Sequence, residues 1–300
     1  MVSPLASSEA RGAERAIRYS RFFRLPIELR EMIYIHLFER GRVHVWYFGS
    51  EQSKAYRQGW WHTICHRPTY YGNDRCRTHP TAADRSCLTP EQSQTARLRV
   101  FGWLLCCRRA YSESIQFLYS SNTFSVEPNY FPSFSDMERL FPPNCLSSVK
   151  SLELLYPVAT YRDIPILDRF TSTIALIPSI FPHLRTFHIA ISSWWMLCAL
   201  EHWEHFTANH TALVRSELLG TLDGLVRRFD GRLKECEVTV DPNYYEIVKL
   251  LEDENGSGRP VEIPVMNWTK ELLGRKYWRP IEGESDVRNT RLGYWIIMAC

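Results

Sequence analysis

A sixteen-residue stretch near the N-terminus, Phe23 to Phe38, constrains the fold more than any other part of the chain. Pro26 suits the first turn of a helix, where a missing N–H costs little, and Glu28 lies where the helix dipole favours an anion. Apolar residues then recur at spacings of three and four, which places them on one side of a helix. These residues are Leu25, Leu29, Met32, Ile33 and Leu37.

An apolar stripe on a helix has two interpretations. In the first, the helix belongs to the core and the stripe packs inside its own domain, as most such stripes do. In the second, the stripe is a docking surface that stays partly exposed until a partner covers it. Exposed side chains would favour docking, for which the candidates are Leu25, Pro26, Leu29, Ile33 and Leu37.

A second apolar helix is predicted from residue 96 to about residue 119. Arg108 falls in the middle of its apolar stripe. A buried guanidinium is costly unless a carboxylate faces it, so we predict an ion pair between Arg108 and Glu28 of the first helix. The alternative carboxylates are Glu31 and Glu113.

The segment between these helices changes character abruptly. Residues 42–48 alternate as a strand does, whereas residues 49–95 are polar and contain no clear periodicity. So long an irregular stretch is typical of a functional loop or of disorder. It contains two pairs of zinc-ligand residues, and a tetrahedral zinc site accepts such pairs readily, although ordinary polar loop residues are the alternative. The four candidate zinc ligands are His62, Cys65, Cys76 and His79.

The second half of the chain alternates helices with apolar strands. Strands are predicted at residues 149–155, 184–191 and 233–240, each after a helical segment, which favours parallel strands with helices stacked behind them. The strand starts lie about 35 and 49 residues apart, so the units do not form a regular repeat. We therefore expect a mixed α+β or α/β fold with leucine-rich-repeat-like units in a small, mostly parallel sheet. An ordinary α/β sheet with right-handed crossovers is the alternative.

Composition excludes several classes of protein. A net charge of +3 is too small to indicate a nucleic-acid partner, and no run reaches the roughly twenty apolar residues that a membrane helix needs. Nine cysteines without a secretory signal indicate reduced thiols in the cytoplasm or nucleus. Nucleophile-elbow, phosphate-loop, dinucleotide-binding and zinc-protease motifs are all missing, so we expect no enzymatic activity and no cofactor apart from zinc.

Two segments together resemble a large group of filamentous-fungal proteins with an F-box-like N-terminal domain, whose members have no assigned chemistry. The segments are Leu25 to Tyr34 and Leu104 to Glu113, followed by Phe117-Leu118-Tyr119 and Asn122-Thr123-Phe124. The resemblance covers about the first 125 residues. It implies docking onto the small adaptor subunit of a cullin-RING ubiquitin ligase, with a protein substrate held by the C-terminal half.

The expected organisation has three parts. Residues 1–21 form a flexible basic arm, residues 22–128 an F-box-like domain interrupted by the irregular insertion 49–95, and residues 129–300 a helix-strand domain with an aromatic-rich C-terminus. The expected function is that of an intracellular, non-enzymatic interaction module and F-box-type substrate receptor. The alternative is a self-contained α/β protein with an aromatic pocket for a small ligand, or with an unfamiliar activity.

Overall fold

A computed structural model describes residues 18–38, 41–48, 59–65, 101–126, 137, 141, 143–157, 164–192, 214–240, 245–246, 248–249, 262–266, 272–281 and 292–298. Most of the predicted basic arm lies outside these residues. The same is true of most of the predicted insertion, including the candidate zinc ligands Cys76 and His79.

The described helices differ widely in length. A single 3-10 turn, Phe22–Arg24, precedes the helix Ile27–Leu37, and a π-helical turn, Val214–Leu219, leads directly into the helix Gly220–Phe229. The α-helices are α1 (Ile27–Leu37), α2 (Phe101–Leu104), α3 (Arg108–Ser121), α4 (Pro143–Leu146), α5 (Ile164–Ile180) and α6 (Gly220–Phe229).

Nine described strands form one sheet in the order β2-β1-β3-β4-β5-β6-β9-β8-β7. The six inner strands from β1 to β9 run parallel, and β2, β8 and β7 add to the two edges in antiparallel fashion. The strands are β1 (Arg42–Phe48), β2 (Gly59–Ile64), β3 (Thr123–Val126), β4 (Ser151–Pro157), β5 (Thr186–Ser192), β6 (Glu235–Val240), β7 (Glu262–Met266), β8 (Leu272–Pro280) and β9 (Gly293–Met298).

The mixed α/β architecture with a mostly parallel sheet is confirmed, but the sheet is larger than predicted. The strands that were not predicted are β2, β7, β8 and β9, of which β2 lies within the predicted irregular insertion and pairs with β1. Strands β3 and β4 are neighbours, so the predicted domain boundary after residue 128 falls between two adjacent strands of a continuous sheet.

Three strands in the second half begin two residues later than predicted, and for two of them the hydrogen bonds show why. Val149 and Leu184 were included in strands because they are apolar, yet both are fully buried turn residues. The Val149 N–H donates to the Leu146 carbonyl at 3.1 Å, and the Leu184 N–H donates to the Phe181 carbonyl at 3.2 Å. Each apolar residue therefore closes the turn that follows a helix rather than opening a strand.

The main hydrophobic core lies on one face of the sheet. Since side chains alternate along a strand, every second residue of β4, β5 and β6 points towards α5 and α6. Leu152, Phe187 and Val238 belong to the same core cluster as Ile174 and Leu222 of these helices. The intervening strand residues point to the opposite face, which is where the polar side chains described below are found.

Gly293 at the start of β9 has no room for a side chain. A methyl group there would meet the Arg279 carbonyl and lie 2.7 Å from the Trp278 ring. We expect Gly293→Ala to lower the free energy of unfolding by about 3 kcal/mol, because backbone cannot move aside as a flexible side chain can. Gly224→Ala in α6, with no atom within 4 Å of its added methyl, is the matched control and should be neutral or stabilising. Equal effects in urea denaturation would contradict this expectation.

Candidate functional site: the exposed first helix and its polar anchor

Helix α1 exposes the apolar stripe that the sequence predicts. Met32, Leu29 and Ile33 keep 57%, 46% and 41% of their residue surface exposed to solvent. The remaining docking candidates follow the same pattern, with Pro26 and Leu37 exposed and Leu25 half-buried. Monomeric proteins seldom leave several neighbouring apolar side chains uncovered, so this stripe is the candidate functional site.

The opposite face of α1 holds the helix to the protein. Its buried side chains are Arg30, Tyr34 and Phe38, which follow one another at spacings of four and so share one face. The Tyr34 ring lies 6.0 Å from the Trp103 ring of α2 and 5.6 Å from the Phe117 ring of α3. Aromatic packing and one buried cation therefore attach α1, while its aliphatic residues face outwards.

A single carboxylate, Glu113 of α3, accepts hydrogen bonds from the polar groups on the buried side of α1. Arg30 donates two hydrogen bonds to it, from Nε to Oε2 at 2.8 Å and from Nη2 to Oε1 at 3.1 Å. The Tyr34 hydroxyl donates to Oε2 at 3.0 Å, and Arg109 Nε donates to Oε1 at 2.7 Å. We call these four residues the Glu113 anchor.

The Glu113 anchor shifts the pKa values of Glu113 and Tyr34. Burial alone would raise the pKa of Glu113, but hydrogen bonds from Arg109, Tyr34 and Arg30 together lower it below its usual value. Burial, followed by the hydrogen bond to the Glu113 carboxylate, raises the pKa of Tyr34. The anchor therefore holds an ionised carboxylate, two guanidinium groups and a neutral phenol at neutral pH.

The predicted ion pair between Arg108 and Glu28 is wrong. Both side chains are exposed, and Arg30 is instead the buried guanidinium that pairs with Glu113. The prediction failed because it treated residues 96–119 as one helix, whereas Cys107 interrupts it and caps α3, with the Ala110 N–H donating to Cys107 Sγ at 3.4 Å. This break changes which residues of the segment face α1.

The sequence contains a signal for the Glu113 anchor. Arg30 lies off the apolar stripe predicted for the first helix. Its spacing of four from Tyr34 and of eight from Phe38 gave an alternative face, which the apolar stripe obscured.

A second group of polar side chains is buried on the face of the sheet opposite the one that packs against α5 and α6. Arg42 Nε of β1 lies 2.6 Å from Glu153 Oε2 of β4, with β3 between the two strands. Ser125, Glu153, His188 and Glu237 stand opposite one another in successive strands. All members of this polar sheet face are at most 4% exposed, and they are Arg42, His44, Ser125, Glu153, His188, Glu237 and Thr239.

The hydrogen bonds within the polar sheet face are unevenly distributed. His188 Nε2 and Thr239 Oγ1 lie 2.8 Å apart. In the described part of the chain, His44 Nε2 and Ser125 Oγ have no hydrogen-bond partner, although their residues pair across β1 and β3. Only the register of the strands brings these polar residues together, so the sequence alone does not identify them as a group.

The predicted zinc site can be followed only in part. His62 lies on β2 opposite Val45, and Cys65 follows the same strand, but Cys76 and His79 are outside the described residues. Within the described ranges, no three His, Cys, Asp or Glu side chains are placed to hold a metal ion.

Among the helices of these ranges, none is long and apolar enough to cross a membrane.

Comparisons with known proteins give one match. Neither the curated proteins nor the solved structures contain a match to this chain. Residues 15–173, just over half of the sequence, match the model of a domain of unknown function, DUF7730. The matched segment includes α1, the Glu113 anchor and strands β1 to β4. The chain therefore belongs to the DUF7730 family.

Proposed function

We propose that this protein is a non-enzymatic, intracellular interaction module that docks onto a partner protein through the apolar stripe of α1. The observation that carries the proposal is that α1 buries the charged Arg30 and exposes the apolar Leu29, Met32 and Ile33. This is the reverse of the usual distribution of polar and apolar side chains. Burying aliphatic side chains is the usual source of helix stability in a protein. A helix serving only as core would be expected to cover them, so their exposure supports a role in binding.

The Glu113 anchor, on the buried face of α1, supports the same proposal. Its directional hydrogen bonds fix the rotation of α1 about its axis, since Arg30 and Tyr34 both donate to the Glu113 carboxylate. A fixed rotation keeps the apolar stripe turned outwards. Preorganising a docking surface in this way reduces the entropy that is lost when a partner binds.

The finer proposal is that the partner is the adaptor subunit of a cullin-RING ubiquitin ligase. Its support is the resemblance of the segments containing Leu25 to Tyr34 and Leu104 to Glu113 to an F-box-like domain. In that arrangement, the protein acts as a substrate receptor in the cytoplasm or nucleus, and the second half of the chain holds a protein substrate.

Direct binding to purified adaptor subunit tests the docking proposal. We expect Leu25→Asp/Leu29→Asp to abolish binding, because a charge in an apolar contact loses its hydration without gaining a partner. Thermal unfolding should change little, since Leu29 is exposed and Leu25 half-buried. The matched control is Glu28→Gln, which changes the same helix outside the stripe and should bind as the intact protein does.

The same variants separate the two levels of the proposal in a pull-down from a fungal extract. Recovery of adaptor and cullin by the intact protein alone would support a substrate receptor. A stripe-dependent partner that is neither of these would support docking and contradict the ligase assignment. Identical recovery by intact protein and the folded double variant would contradict docking altogether.

A second candidate function is favoured by the polar sheet face. Buried polar groups that converge on one surface are typical of a site for a small polar ligand or of an unfamiliar enzymatic activity. The aromatic pocket expected for this alternative gains no support from Tyr245, Tyr277 and Tyr294, which are fully or almost fully buried in the core. The exposed stripe on α1 places docking first.

A further inference from the structure

Two adjacent thiols, Cys106 and Cys107, lie at the junction of α2 and α3. Cys106 is exposed and Cys107 is partly exposed, and both are free. The Cys106 thiol donates a hydrogen bond to Cys107 Sγ, with the two sulfur atoms 3.9 Å apart. The pair therefore combines accessibility with two soft donor atoms that already face each other.

The geometry disfavours a direct disulfide between these thiols. Consecutive Cα atoms are about 3.8 Å apart, whereas disulfide-bonded cysteines usually need Cα atoms about 4.4–6.8 Å apart. A bridging atom between the sulfurs removes this conflict. A tetrahedral ion with metal–sulfur bonds of about 2.3 Å holds two thiolates about 3.8 Å apart, close to the separation present here.

We propose that Cys106 and Cys107 form an exposed two-thiolate site for a soft divalent metal ion of the zinc type. The ion takes the place of the proton that Cys106 shares with Cys107. Binding forms two metal–sulfur bonds, releases one proton from each thiol and leaves the other coordination positions to water.

The site is connected to the Glu113 anchor through α3. Cys107 Sγ accepts the Ala110 N–H at the start of this helix, and Arg109 and Glu113 lie in its first two turns. A thiolate accepts this hydrogen bond more strongly than a thiol does. Its negative charge is also stabilised by the positive end of the helix dipole. Occupancy should therefore stabilise the helix that holds α1 in place. The metal site itself does not depend on the docking proposal.

Cadmium is the probe for this site, since cadmium–thiolate bonds absorb in the ultraviolet. We expect the reduced, full-length protein to bind one equivalent that Cys106→Ser and Cys107→Ser both lose, with a higher melting temperature on binding only in the intact protein. Serine is a good N-cap residue, so Cys107→Ser should keep α3 folded, as circular dichroism can verify. Excess zinc should displace the cadmium band.

Cys65→Ser is the matched control, because Cys65 belongs to the zinc site predicted from the sequence and lies on a different element. This variant should bind cadmium as the intact protein does. The chain has nine cysteines, so the difference between variants is the measured quantity. Retention of the full band in Cys106→Ser and Cys107→Ser, or its loss in Cys65→Ser, would overturn the proposal.

Discussion

Replacing Arg42 by Met is expected to lower the free energy of unfolding by about 3–5 kcal/mol. Arg42 and Glu153 are each 2% exposed at the side chain, and Arg42 Nε lies 2.6 Å from Glu153 Oε2. Removing the guanidinium takes away the cation that faces Glu153 on the polar sheet face. Chemical denaturation measures the loss, and the same experiment on Glu153→Leu should give a similar value.

The double variant Arg42→Met/Glu153→Leu is the informative control for this ion pair. Replacing both charges by apolar groups avoids leaving either of them in the interior, so it should be much less destabilised than the sum of the two single variants. Additive losses would show that the two side chains contribute independently. In that case the buried ion pair would not be what joins β1 to β4 across β3.

Replacing Glu113 by Leu is expected to cost about 3 kcal/mol of unfolding free energy, because the buried Arg30 loses the carboxylate that receives two of its hydrogen bonds. Tyr34 and Arg109 lose an acceptor at the same time. The matched control is Glu28→Leu on the exposed side of α1, which should change stability by less than about 0.5 kcal/mol. Equal effects of the two substitutions would contradict the stabilising role of the Glu113 anchor.

The Glu113 anchor also gives a pH dependence whose sign is fixed by the lowered pKa of Glu113. A carboxyl group with a lower pKa in the folded protein stabilises the fold above its ordinary value of 4.5. This stabilisation is lost as the pH falls below that value and through the pKa of the folded state. Glu113→Gln should therefore lose less stability on acidification than the intact protein, as thermal unfolding across this pH range can measure.

Local patterns predicted much of this fold because they depend on neighbours in the chain. Strand β1 has the predicted bounds, and the apolar stripe of α1 follows from spacing alone. Strand β2 was missed since His62 and Thr63 make the segment look polar and its pairing partner is distant. A strand of this kind is defined by the hydrogen bonds that it makes rather than by its own periodicity.

The functional groups were harder to predict because they join distant parts of the chain. Glu113 meets Arg30 across 83 positions, and Glu153 meets Arg42 across 111. A charged residue in a sequence is most often solvated, so the charge of Arg42 gave no sign that this residue is buried. The sequence could identify which face of α1 is apolar, but only the packing of α3 decides which face is covered.

The number of strands in the sheet sets the distance between its two edge strands. Neighbouring strands are about 4.8 Å apart, so the edge strands β2 and β7 are separated by about 38 Å. Helix α1 precedes β1 at one side of the sheet, whereas β7 and β8 close the other side. Partners bound at these two ends could be attached at the same time without competing for space. The parallel strands between them would then act as a spacer whose length is fixed by the number of strands.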